Sequence, residues 1–182
     1  MNGLFTVAGL PAHPLVVAAV AVLLPLAAVC AVGLAVHNGA RRRFGVPVLV
    51  LAAVAVAAVP LAEASGQQLR DHLTSPPDPS LLARHAALGG QLLPYALGFG
   101  VTVVLLLVAG RLADRERTAS ARPEPVTAPD SGPDRRSTIS TTWRRISVLA
   151  SVLVIGMAGI TTVDVIRIGT TGAQMVWQGK AH

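Results

Sequence analysis

The chain has a single cysteine, Cys30, so no intramolecular disulfide can form and cysteine pairing says nothing about redox compartment. Aromatic residues make up only 3% of the 182 positions and charged residues only 13%. A soluble domain carries about a quarter charged residues, so this chain cannot dress an ordinary water-facing surface. The shortage of aromatics argues against a large soluble core. Disorder is excluded from the opposite direction, because hydrophobic residues reach 52% and the mean hydropathy is +0.60. Motifs that carry chemistry are missing as well. There is no nucleophile elbow, P-loop, dinucleotide fingerprint or zinc-protease motif, and nothing else marks an enzyme. These absences leave a small membrane protein. Its use of arginine over lysine, with abundant Ala and Val, fits a high-GC bacterial coding bias.

What is present is apolar and long. A bilayer core of about 30 Å needs about 20 helical residues, and four runs meet that length. They extend from Pro14 to Val36, from Gly45 to Ala62, from Ala86 to Gly110 and from Ile146 to Ile168. The last contains one acid, Asp164. Lipid offers no partner to an open strand edge, so such runs must be helices. The expected fold is therefore all-α, a four-helix transmembrane bundle. The first run is not a signal peptide, because no Lys or Arg precedes it and it outlasts a typical h-region.

Orientation follows from arginine. Arg41, Arg42 and Arg43 lie between spans one and two. Arg111, Arg115, Arg117, Arg122, Arg135, Arg136, Arg144 and Arg145 lie between spans three and four. The other side holds only Arg70, Arg84, Arg167 and Lys180. Eleven against four places both termini outside, in a multi-pass protein of the bacterial cytoplasmic membrane. Topology thus accounts for the net charge of +6, and no nucleic-acid partner is expected. The domain reading is three spans over 1–111, a disordered cytoplasmic linker over 112–142, and a fourth span with an extracytoplasmic tail over 143–182. The linker carries Pro123, Pro125, Pro129 and Pro133 among polar residues and buries almost nothing.

Polar side chains collect at the outer helix ends. His13 precedes span one; Glu63, Ser65 and Gly66 close span two; His85 and Gln91 open span three; Asp164, Arg167, Thr170 and Thr171 close span four. Helices about 8–10 Å apart would let these groups converge. Arg167, three residues after Asp164, is placed to form a structural ion pair with it. Two further readings follow from the histidines. His13 and His85 could be axial ligands of a b-type haem. Alternatively His13, Glu63, His85 and Asp164 could hold a divalent metal such as zinc or copper. The reading that needs nothing further is a non-enzymatic membrane component with a polar cluster at its outer helix ends. The lipid bilayer is its first partner, with a membrane protein or a second copy as further candidates.

Four short motifs in order also carry a resemblance. They are Gly9-Leu-Pro-Ala-His-Pro-Leu15, Glu63-Ala-Ser-Gly66, Arg84-His-Ala-Ala-Leu-Gly89 and Arg167-Ile-Gly-Thr-Thr-Gly-Ala173. Together they resemble bacterial four-helix membrane proteins grouped as domain of unknown function 2231, along the whole chain except the linker. The resemblance implies an integral membrane protein and supplies candidate positions without an activity. Members of that family often carry further histidines where this chain has Ala18 and Thr170. A site of four imidazoles is therefore excluded, and His13 and His85 remain of that set.

Overall fold

The computed structural model describes residues 6–7, 9–72, 78–120 and 134–178. Four helices fill nearly all of it: α1 Ala12–Val36, α2 Asn38–His72, α3 Pro79–Ser120 and α4 Asp134–Gln178. A short antiparallel hairpin precedes α1, pairing Thr6 with Pro11 and Val7 with Leu10. Gly9 sits in its turn at φ 79°, a left-handed conformation that costs glycine little. All four helices are long and apolar enough to cross a membrane.

Each helix outruns the apolar stretch that marks it. Hydropathy reports only the part that needs lipid, whereas helix propagation continues through any good helix former. Thus α3 runs ten residues past Gly110, through Arg111, Ala113, Arg115 and Glu116, to Ser120. Helix α4 starts at Asp134, well before Ile146. Composition assigns 112–142 to a disordered linker, but its two flanks are helical. The remainder, 121–133, lies outside the described residues.

The helices form a ring in chain order, with α4 closing back on α1 and with α1 and α3 on the diagonal. The interior is built from small side chains and a few large ones. Ala27, Ala31, Ala55 and Ala96 are fully buried beside Phe99, Leu106, Val103 and Val154. Small residues let backbones approach closely where lipid offers no hydrophobic drive to association. The outward faces are just as apolar, with Val22, Val29, Leu149 and Ile166 more than half exposed. Such a helix, hydrophobic all round, suits lipid and not water. Helix α2 leaves an apolar groove of about 470 Å³ against α3 at mid-span, lined by residues such as Ala53, Ala57, Leu97 and Val101. These four are exposed, so the groove opens outward.

One residue, His37, joins α1 to α2. Arg41 completes the joint by donating from Nε to the Leu34 carbonyl (3.2 Å) and from Nη2 to the Ala35 carbonyl (3.4 Å). Both are carbonyls that the end of α1 would otherwise leave without an intrahelical partner.

Candidate functional site: a histidine pair joining four helix ends

The ring brings the start of α1, the end of α2, the start of α3 and the end of α4 together at one end of the bundle. Two histidines from the diagonal helices meet there. The His13 and His85 rings lie 6.3 Å apart, centroid to centroid, with planes at 90°.

Each histidine is tied to a different neighbour. Ala62, Ser65 and Gly66 form an i, i+3, i+4 stripe on α2, and His13 lies against it. Its Nδ1 is 3.1 Å from the Ala62 carbonyl and 3.2 Å from Ser65 Oγ. The Ser65 hydroxyl already donates to the same carbonyl at 2.9 Å. The proton on His13 is therefore on Nδ1, because both oxygens it faces act as acceptors. Gly66 allows this approach, since a Cβ built there would stand 2.8 Å from His13 Cε1.

His85 repeats the pattern on α4. Its Nδ1 lies 3.2 Å from Thr171 Oγ1. The Thr171 hydroxyl donates to the Ile168 carbonyl (2.9 Å) or the Arg167 carbonyl (3.2 Å), so its oxygen accepts from His85. Thr171 is buried, and Gly172 beside it would bring a Cβ to 3.5 Å from His85 Cε1. Both rings thus donate through Nδ1, and on both the lone pair is left on Nε2. Two side chains and their acceptors link all four helices.

The other predicted residues are placed differently. Glu63 is half-buried and one position off the Ala62–Ser65–Gly66 stripe, about 100° round the helix from Ala62. Gln91 and Thr170 are exposed. Asp164 is 5% exposed and Arg167 faces outward. The expected Asp164–Arg167 pair does not form: the ion pairs among the described residues are Arg42–Asp114 and Arg117–Asp114. Spacing of three makes neighbours on a helix surface, but α4 turns Thr161, Asp164, Ile168 and Thr171 inward together and leaves Arg167 outside that stripe. Among the described residues, Asp164 Oδ2 is buried without a hydrogen-bond partner.

The four-ligand metal set is not brought together either. Among the described residues, no three His, Cys, Asp or Glu side chains form a group able to hold a metal. Asp164 lies two helical turns from Thr171, about 10 Å along the axis of α4. The α2 backbone at Gly66 and the α4 backbone at Gly172 stand against the two ring edges that carry Nδ1 and Cε1. Ala18 and Thr170, the two positions where the resemblance implies further histidines, are both exposed.

Sequence reasoning did not single out Thr171 as the anchor of His85. The signal was present in the 3.6-residue spacing of Thr161, Asp164, Ile168 and Thr171, which puts them on one face.

The opposite end of the bundle is arginine-rich. Arg42 makes a bidentate pair with Asp114 at 2.8 and 2.7 Å, and Arg43 lies 5.4 Å from the Phe44 ring centroid. Arg41 crosses Gly110, where a Cβ would meet its Cδ at 2.7 Å.

Comparison with known proteins agrees with this architecture. No curated protein and no solved structure matches the chain. The family model described as "Predicted membrane protein (DUF2231)" matches residues 9–182, from the Gly9 turn to the last residue. With four membrane-length helices over that same stretch, the chain belongs to the DUF2231 family of membrane proteins.

Proposed function

We propose that this protein is a non-enzymatic, multi-pass component of the bacterial cytoplasmic membrane whose outer end is a histidine-centred clasp. In this reading both termini and the histidine pair lie outside, and the arginine end faces the cytoplasm. The observation that carries it is the meeting of His13 and His85, each anchored to a different neighbouring helix. Polar side chains bonded from one helix to the next fix which turns meet, whereas Ala-rich apolar faces specify register weakly. The clasp therefore sets which turns of the four helices meet, and gives the outer end a defined surface for a membrane partner or a second copy. The excess of arginine at the other end supports the orientation.

Impermeant maleimide labelling of intact cells tests the orientation. In a Cys30→Ala background, Gln67→Cys is expected to label from outside and Thr118→Cys only after permeabilisation. The reverse pattern would overturn the reading.

A further inference from the structure

We infer that His13 and His85 form a site for a single monovalent copper ion, bound through their two Nε2 atoms. The inference rests on the clasp reading only in treating the histidine pair as a preformed unit. It does not depend on the orientation.

The first argument is the state of the two rings. Ser65 and Thr171 spend their hydroxyl protons on backbone carbonyls. Both imidazoles therefore donate through Nδ1 and hold a lone pair on Nε2. The ring bonds to Ala62, Ser65 and Thr171 all run through Nδ1. An imidazole whose Nδ1–H is held by a carbonyl or hydroxyl oxygen is oriented as a metal-ligating histidine is. A histidine with a purely structural role has no such need to keep its second nitrogen open.

The second argument is spacing. Metal–imidazole bonds are about 2.0 Å long, and adding the two ring radii separates the centroids by about 6 Å when one ion sits between the rings. The observed separation is 6.3 Å. The 90° interplanar angle is no obstacle, because in-line coordination leaves each ring free to turn about its metal–nitrogen bond.

The third argument selects the ion. Zinc sites take four ligands, or three with water, and no third His, Cys, Asp or Glu joins the pair among the described residues. Calcium and magnesium require oxygen cages. Monovalent copper accepts two ligands in line and favours nitrogen and sulfur donors.

The test uses the full-length protein in detergent under anaerobic conditions, titrated with copper(I) against a colorimetric copper(I) chelator. One equivalent per chain is expected. His13→Ala or His85→Ala should weaken binding by about tenfold or more, within the range seen when a ligand shell is damaged. His72→Ala, whose ring bonds only to the Gln68 carbonyl of its own helix, should bind like the parent. Zinc(II) titrated in parallel should bind about tenfold more weakly or worse. X-ray absorption on the unmodified protein guards against misfolded variants, and is expected to show two nitrogen neighbours at about 1.9–2.0 Å. Uptake below about 0.1 copper per chain, binding by the alanine variants equal to the parent's, or a shell of four neighbours would overturn the assignment. Copper-free protein whose His13→Ala variant is still destabilised would sink the copper site and leave the clasp standing.

Discussion

The two ends of this bundle solve the same problem with opposite chemistry. At one end, two imidazole rings bond to a backbone carbonyl and to hydroxyls, and the partners are half-buried or buried. At the other end, guanidinium groups face a single aspartate and the last carbonyls of α1. Arg42 is 65% exposed and Asp114 30% exposed, so water and salt share their interaction. The difference teaches where specificity can reside. A flexible arginine tolerates displacement by a turn of its rotamers, whereas an imidazole wedged between two helices does not.

The comparison breaks if the histidine end proves no more sensitive than the arginine end. The largest effect is expected from the His13→Ala, His85→Ala double variant. Loss of both rings opens a cavity and removes the ties to α2 and α4, at a cost of about 2–5 kcal/mol. Thermal unfolding in detergent measures it, and a loss no greater than that of His72→Ala would sink the contrast. Next come the paired glycine substitutions. Gly66→Ala should cost about 1–3 kcal/mol, because its Cβ meets a ring that cannot retreat. Gly110→Ala should be near neutral, since the Arg41 side chain can move and alanine gains about 1 kcal/mol of helix propensity. Equal melting shifts would show that both ends yield alike.

Asp164→Leu sharpens the contrast differently. Removing a carboxyl with an orphaned oxygen from the interior should raise stability by about 1 kcal/mol. A protein that melts earlier instead would reveal a partner for Asp164 that the fold alone does not supply. Smaller still is Asp114→Asn. Its destabilisation should be slight at low salt and disappear as ionic strength rises, as in any exposed pair. A salt-independent loss would mean the pair is more protected than its exposure implies.

The smallest expected effect lies at the start of α3. Asp78 Oδ1 accepts from the Ser80 hydroxyl at 2.7 Å, the Ser80 amide at 2.8 Å and the Leu81 amide at 3.3 Å. The Ser80 hydroxyl bond, followed by the two amide bonds, holds this carboxyl below the usual aspartate range. A depressed folded value stabilises the cap above the unfolded pKa, and that contribution is lost as pH falls through the folded value. An NMR titration should therefore place the Asp78 midpoint below that of a free aspartate, with first-turn amide exchange quickening once it protonates. An ordinary midpoint would remove the cap.

The four spans were legible because lipid imposes a length and a composition that no local accident hides. Helix ends were not, since residues 111–120 are as helical as what precedes them while lacking a continuous apolar run. The family resemblance was legible in the ordered motifs around His13, Glu63, His85 and Arg167. The convergence of His13 and His85 followed from alternating span direction. What failed was every inference that needed a helix's rotation. Asp164 beside Arg167 looks like a pair on paper, but packing decides which of them enters the interior. The same ignorance left buried Thr171 undistinguished from exposed Thr170 beside it.

The single-residue joint at His37 makes α1 and α2 behave like a pair of callipers. About two dozen residues run from that pivot to His13 on one arm, and a few more run to the Ala62–Ser65 stripe on the other. Dropping one residue from α1 would swing His13 about 100° and shift it about 1.5 Å along the axis, away from the carbonyl it grips. Arm length is thus under constraint even where every side chain along it meets only lipid. Apolar residues there can be exchanged freely for one another, but none can be removed.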